Sequence, residues 1–322
     1  MSKKIVFIPT FCESHLIRHQ IPNVIDTVDP DYIVINEGMF PAGTEGNKHL
    51  TQEWLKKYTL NGEGKRGFDY LELKQIVQDT QKQFPNTTII LNEMSYAPNM
   101  TSTDCYVAAT TNFAELGIEV EEGDYIFPYE GDVFHHESAR EEIAHYLTQI
   151  QPGEGFRSIW IDYMQNFWYA EKMRIEHWSG PDHQDKNDYM SRRICFRYDK
   201  GGVKYLNMLK NFMSNDYHNP ITGYGMLYPT NLITYHYAWI RPGKFRELRC
   251  DQLQRHPGYW DTFTKGLDEC DKYEKSEIVI RPNATHSSRG FVKFFDQLEH
   301  PKHIRSHELW TNLPEEVLLR LR

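Results

Sequence analysis

Gly123-Asp-Tyr-Ile-Phe-Pro-Tyr-Glu-Gly-Asp132 is the segment from which the rest of the chain is best read. Residues 124–129 form a short apolar and aromatic run of strand type, and two carboxylates, Glu130 and Asp132, follow it one residue apart. The same unit recurs upstream. Ile5-Val-Phe-Ile8 is an apolar run closed by Pro9, a first strand. Residues 13–26 carry Leu16, Ile17, Ile21, Val24 and Ile25 at helical spacing, with Pro22 as a kink or break. Residues 31–36 read as a second strand with Glu37-Gly38 at its end, and 87–92 as a third. Residues 52–58, 70–84 and 103–116 read as helices, the last with Val107, Ala108, Thr111 and Ala114 on one face. Strands alternating with helices over the first 135 residues predict a mainly parallel α/β sheet with helices on both faces. In such sheets ligands sit beyond the carboxyl ends of the strands, so the polar residues there are the candidate site.

The composition agrees with a folded α/β protein. The chain has 322 residues, 25% charged, 39% hydrophobic and 14% aromatic, which suits one or two domains with a substantial core. This is not the aromatic-poor composition of a disordered chain. A mean hydropathy of −0.66 and no long apolar run exclude a transmembrane helix, which needs about 18–20 apolar residues. The opening Met-Ser-Lys-Lys is basic, but the apolar stretch after it is too short for a signal peptide, so the expected location is the cytoplasm, with no membrane partner. Cys12, Cys105, Cys195, Cys250 and Cys270 are odd in number and widely spaced, against a disulfide framework or zinc knuckle. The net charge of −9 argues against a protein that coats nucleic acid, although not against a basic groove on one face.

The strand ends carry the chemistry. The first runs into Thr10-Phe-Cys-Glu13, the second into Asn36-Glu37-Gly38, and the fourth into Glu130-Gly131-Asp132 followed by His135 and His136. Two carboxylates one residue apart can address one ion, and hard oxygen ligands suit Mg²⁺ or Mn²⁺. The same pattern also describes a polar turn with exposed acids.

Gly123 to Asp132 resembles the Gly-Asp-Tyr-Ile-x-x-x-Asp-Ala-Asp stretch of GT-A-fold glycosyltransferases, with Glu130 in place of the first Asp. The order of Thr10-Phe-Cys-Glu13, a helix containing Arg18, and Val34-Ile-Asn-Glu-Gly38 resembles the family-2 and family-17 opening. Further on, Tyr163-Met-Gln-Asn-Phe-Trp168, Trp178-Ser-Gly180 and Arg192-Arg193 are similar to a run of family-17-like β-N-acetylglucosaminyltransferases. Gly223-Tyr224 matches that group's Gly-Tyr-His segment with Gly225 in place of His, and Tyr235-His-Tyr-Ala-Trp239 its His-bearing strand. The resemblance implies a GT-A-like fold with a helical, aromatic carboxy-terminal part. Residues 1–150 would form the nucleotide-sugar half and 151–322 the acceptor half, within one continuous domain. It implies Mn²⁺ or Mg²⁺ held by Glu130 and Asp132, with His236 as a further ligand or else a core histidine. It also implies a nucleotide-sugar donor, UDP-linked by family analogy, contacted by Thr10, Glu13, Glu37, Gly38, Lys65, Arg66 and Arg241. The acceptor would be a hydroxyl on a cell-surface glycan precursor or on a hydroxymethylated base in bacteriophage DNA.

The catalytic base is expected at Asp162, a single acid in an apolar run, or at Glu176, and ion pairs with Arg157 or Arg174 are the competing account of both. Gly62-Glu-Gly64-Lys-Arg-Gly67 matches G-x-G-x-x-G but follows no strand, so it reads as a flexible loop, with Lys65-Arg66 able to cover a diphosphate. The basic run from Arg241 to Arg249 offers phosphate contacts or a solvated helix face. The tail from about Ser287 reads as helical and polar. Two other classes remain open: a metal-dependent hydrolase using Glu130, Asp132, His135 and His136, and a non-catalytic binding module.

Overall fold

A computed structural model describes residues 2–39, 51–97, 100, 102–162, 169–171, 191–206, 227–237, 240–254, 291–293 and 300–308. The first half builds β1 (Lys4–Thr10), α1 (Ser14–Val28), β2 (Tyr32–Glu37), α2 (Gln52–Tyr58), α3 (Tyr70–Gln83), β3 (Thr88–Glu93), α4 (Ser102–Thr111), β4 (Tyr125–Pro128), β5 (Val133–His135) and α5 (Ala139–Gln149). The rest adds β6 (Gly155–Asp162), β7 (Tyr169–Glu171), β8 (Ser191–Arg197), β9 (Leu227–His236), α6 (Gly243–Gln254) and β10 (Phe291–Lys293). The main sheet has the order β3-β2-β1-β4-β8-β6-β9-β5, and β7 pairs with β10 in a separate ribbon. Strands β1 to β4 are mutually parallel; β8 runs antiparallel between β4 and β6, and β5 runs antiparallel along β9. The protein is thus an α/β fold with a mostly parallel sheet flanked by helices. Among the described residues, no helix is long and apolar enough to cross a membrane.

Strand β1 is apolar without alternation because both of its faces are covered. Val6 and Ile8 meet Ile17, Ile21 and Val24 of α1, together with residues of α3 and α5. Ile5 and Phe7 face the other way, toward Phe113, Ile118 and Val107. Pro22 interrupts nothing: α1 continues to Val28, where Asp29 takes a left-handed cap with φ 56°. The expected helix over 103–116 splits into α4 and a 3₁₀ turn, Asn112–Leu116. The tail departs from expectation, since its described parts are strand β10 and the 3₁₀ turn Ile304–Ser306.

Pro9 does not end β1, which runs on to Thr10. The hydrogen bond from Tyr129 N to Phe7 O shows that odd-numbered residues of β1 turn their polar groups toward β4. Pro9 therefore lacks its donor on the side where the β1–β4 ladder ends, at the pair Phe7 and Pro128. The two strands part there. Because β2 and β3 lie on one side of β1 and β4 on the other, the parting is the topological switch point of the sheet.

Candidate functional site

Three segments converge on that parting. The first is the turn after β1, where Cys12 adopts a left-handed φ of 57°, uncommon outside glycine, and the chain then enters α1 at Glu13. The second is the turn from β4 to β5 carrying Glu130, Gly131 and Asp132. The third is the end of β9, where Val133 pairs with His236 and Tyr237 N donates to Asp132 O at 2.9 Å. This pairing brings His236 to Asp132.

One ligand atom from each of Glu130, Asp132 and His236 lies within 4.8 Å of the others. His236 Nε2 stands 3.3 Å from Asp132 Oδ1. Arg241, 7% exposed, places Nη2 2.7 Å from Glu13 Oε1 and 3.4 Å from Asp132 Oδ2. Thr10 Oγ1 donates to Glu13 Oε2 at 3.1 Å. Glu13, Glu130 and Asp132 thus share this corner with the Arg241 guanidinium. Burial works against ionising Asp132, but His236 and Arg241 outweigh it and hold the carboxyl well below its usual range. Burial has the upper hand at Glu13, whose carboxyl is raised despite Arg241, with Asp132 adding repulsion.

The fit to a divalent cation rests on the donor set. Asp132 Oδ1 is buried, and among the described residues no hydrogen bond of ordinary geometry satisfies it. Two carboxylates and one imidazole form a mixed oxygen and nitrogen set that accepts Mn²⁺ readily and Mg²⁺ less so.

The other predicted residues fall in two places. Glu37, Gly38 and Arg66 form a neighbouring cluster at the end of β2. Arg66 Nη1 donates to Glu37 O at 2.7 Å and Met94 O at 2.6 Å, and lies 3.3 Å from Glu37 Oε2. Gly67 N donates to Glu37 Oε1 at 2.8 Å. Burial still pushes the Glu37 carboxyl up to about 7. A Cβ on Gly38 would come 2.8 Å from Met94 O and 3.0 Å from Arg66 Nη1, so no larger residue fits without a shift. The expected flexible loop at 62–67 is in fact pinned. Leu60 N bonds Arg66 O at 2.9 Å, Gly64 N bonds Thr59 Oγ1 at 3.1 Å, and Met39 N bonds the carbonyl of the exposed Lys65 at 3.0 Å.

Asp162 ends β6 in register with His236, but its side chain, like all of Glu176, lies outside the described residues. The segments 163–168, 178–180 and 223–224 lie outside them too, and only the backbone of Arg192 and Arg193, in β8, is described.

The four-ligand set expected of a hydrolase is not assembled, because His236 takes the place given to two histidines. His135 is 1% exposed within β5, with Nδ1 3.0 Å from Ile233 O, and burial pushes its pKa down to about 4. His136 Nδ1 faces Ser138 Oγ at 2.8 Å. The basic run also divides. Arg241 is buried in ion pairs, while Lys244 and Arg246 remain exposed on α6.

Sequence reasoning missed Gln20 and Asn23, which are 0% and 1% exposed on the buried face of α1. The available signal was two amides falling inside an apolar stripe.

No family model matches the chain, and no curated protein matches it. Solved structures give slight likenesses. One is to 4-diphosphocytidyl-2C-methyl-D-erythritol synthase, with 11% identity and TM-score 0.34 over 72% of this chain and 90% of that one. TarS of S. aureus gives 10% identity and TM-score 0.37, over 78% of this chain and 39% of TarS. Mannose-1-phosphate geranyltransferase from Thermus thermophilus gives 8% identity and TM-score 0.31, over 74% of each chain. Likenesses this slight carry no argument about activity, and the fold rests on the strand order above.

Proposed function

We propose that the protein is a metal-dependent glycosyltransferase of GT-A type. It would move a sugar from a nucleotide-sugar donor, UDP-linked, to a hydroxyl acceptor on a glycan or a hydroxymethylated base in DNA. The observation that carries the reading is the convergence of Glu130, Asp132 and His236 at the switch point, with Asp132 Oδ1 buried and, among the described residues, lacking a well-directed hydrogen bond. Glu130, Asp132 and His236 would hold Mn²⁺ or Mg²⁺, which when bound supplies positive charge to the leaving diphosphate.

The chain's own residues divide the remaining work. Arg241 orients Glu13 and Asp132 in a buried corner and helps to hold Asp132 ionised. Thr10 and Glu13 would line the donor side of the site, and Glu37, Gly38 and Arg66, held together at the end of β2, would brace it. Lys65, exposed beside them, would meet the donor's phosphates. Asp162, beside His236 in register, is the preferred acceptor of the hydroxyl proton, with Glu176 as the second candidate. Residues 1–150 would serve the donor and 151–322 the acceptor.

Thermal unfolding with a panel of nucleotides and nucleotide sugars, in Mn²⁺ and in EDTA, tests the reading. A ligand at a hundredfold excess over its Kd stabilises the folded state by about 2.7 kcal/mol. A shift that needs both Mn²⁺ and one nucleotide sugar is expected, and it names the donor. A shift with Mn²⁺ alone and none with any nucleotide would overturn the nucleotide-sugar reading and leave only a cation site.

A further inference from the structure

Helix α1 lays one stripe of side chains along the acid-bearing turn. Glu13, Ile17 and Gln20 follow at helical spacing, four and then three residues apart, on one face. The Glu13 carboxylate lies against Gly131 so closely that a Cβ there would collide with Oε2, and Ile17 Cδ1 would stand 3.4 Å from the same Cβ. Gln20 Nε2 donates to two carbonyls, those of Glu130 and of Val133, the latter at 2.9 Å. These carbonyls bracket the turn, so one amide ties the residue bearing the first carboxylate to the residue just after the second. The stripe continues to Asn23, which holds β5 rather than the turn. Its Nδ2 donates to His135 O at 2.7 Å, and its Oδ1 accepts from His135 N at 3.0 Å.

Gln20 is fully buried, and among the described residues its Oε1 has no hydrogen-bond partner. The amide cannot simply be turned over, because Oε1 would then face two carbonyl oxygens. A buried amide left half satisfied is a poor choice for stability alone. It is well suited to fixing the backbone of a turn whose side chains must converge.

We propose that Gln20 is a positioning residue for the cation site: through the Glu130 and Val133 carbonyls it sets the spacing of the Glu130 and Asp132 carboxylates. The inference rests on the cation reading proposed above. Partners of this kind, one step removed from the ligands, are commonly worth ten- to a hundredfold in metal affinity.

The test is Mn²⁺ titration followed by the loss of the free-ion EPR signal, on the full chain, with thermal unfolding in EDTA alongside. Four proteins are compared: wild type, Asp132→Asn, Gln20→Met and Asn23→Ser. Gln20→Met keeps length and burial while removing both donated bonds; Asn23→Ser weakens the same helix–strand contact away from the turn. The expected result is about tenfold weaker Mn²⁺ binding in Gln20→Met, and wild-type affinity in Asn23→Ser despite its lower melting temperature. Equal affinity in wild type and folded Gln20→Met would overturn the positioning role while leaving the cation site in place. Equal weakening in Gln20→Met and Asn23→Ser would also overturn it, as a general effect of stability. No saturable Mn²⁺ binding by wild type, or binding unaltered in Asp132→Asn, would remove the cation reading and this inference with it. Should Gln20→Met fail to fold, Gln20→Glu serves in its place, with the same tenfold loss expected and unchanged affinity counting against the proposal.

Discussion

Two strand ends of one sheet each place a glutamate beside an arginine, and they do different things with it. At the end of β2, Glu37 is closed off. Its carboxylate takes the Gly67 N–H and faces Arg66, whose guanidinium also satisfies two backbone carbonyls. At the parting of β1 and β4, Arg241 meets Glu13 and Asp132 together, Glu130 adds a third acid, and among the described residues Asp132 Oδ1 has only the His236 imidazole, 3.3 Å away, and no hydrogen bond of ordinary geometry. The residue types are nearly the same. The difference lies in whether donors match acceptors: a matched cluster braces the fold, and an unmatched one has capacity for a ligand.

The largest expected effect separates the two directly. Asp132→Asn should weaken Mn²⁺ binding by more than about a hundredfold, since residues one step removed from a metal already reach that figure. The fold should survive, because Arg241 keeps Glu13. Arg66→Met should do the reverse. Breaking a buried pair by removing one partner costs about 3 kcal/mol or more, so denaturant unfolding should show a loss of that size with Mn²⁺ affinity unchanged. A metal effect from Arg66→Met, or a stability collapse from Asp132→Asn, would erase the distinction.

A pH series sharpens it further. Burial raises the folded-state pKa of Glu37 from 4.5 to about 7. The folded state therefore holds this proton more tightly than the unfolded chain. The stabilisation is complete below about pH 4.5 and is lost as pH rises through about 7. Glu37→Gln, which keeps an acceptor for Gly67 N, removes that dependence. Relative to wild type, the variant should gain stability between pH 4.5 and 7, by up to about 3 kcal/mol at one pK unit per 1.36 kcal/mol. Urea unfolding at pH 5 and pH 8 measures the difference, and parallel curves for the two proteins would refute it. Histidines buried neutral, such as His135 with its pKa near 4, act oppositely as pH falls from 6.5, so only the difference between the two proteins isolates Glu37.

Much of this geography was legible in the sequence, for local reasons. Ile5 to Ile8 declares a strand covered on both faces, and Glu130-Gly-Asp132 follows an equally plain strand, so both halves of the switch point could be placed without coordinates. Three things were not legible. The order of β8, β6 and β9 depends on pairings between distant strands, which no local pattern records. Arg241 reads as part of a basic run, a phosphate contact or a solvated helix face, yet its partner Glu13 is 228 residues away, and a contact of that range decides its burial. His135 and His136 resemble ligands by proximity in sequence. The alternation of β5 turns His135 into the core, and the antiparallel neighbour β9 delivers His236 instead.

Gly131 gives the smallest effect and the most specific. The residue between the two carboxylates looks like a mere spacer. In three dimensions it is the floor on which the Glu13 carboxylate rests, and no atom beyond hydrogen fits there without moving Glu13. Gly131→Ala should therefore cost about 1–3 kcal/mol, the usual penalty for overpacking. It should also loosen Mn²⁺ binding, because a displaced Glu13 releases Arg241 toward Asp132. The cause can be isolated with a second substitution. Glu13→Ala alone removes a buried ion-pair partner; in the double variant the added methyl no longer meets a carboxylate. The two costs should then sum to less than their separate values, with a coupling of about 1 kcal/mol or more, as expected of residues in direct contact. Strict additivity would mean that the Glu13 carboxylate does not rest on Gly131 in solution, and the acid-bearing turn would then be held by Arg241, the Gln20 amide and the β5–β9 pairing without that contact.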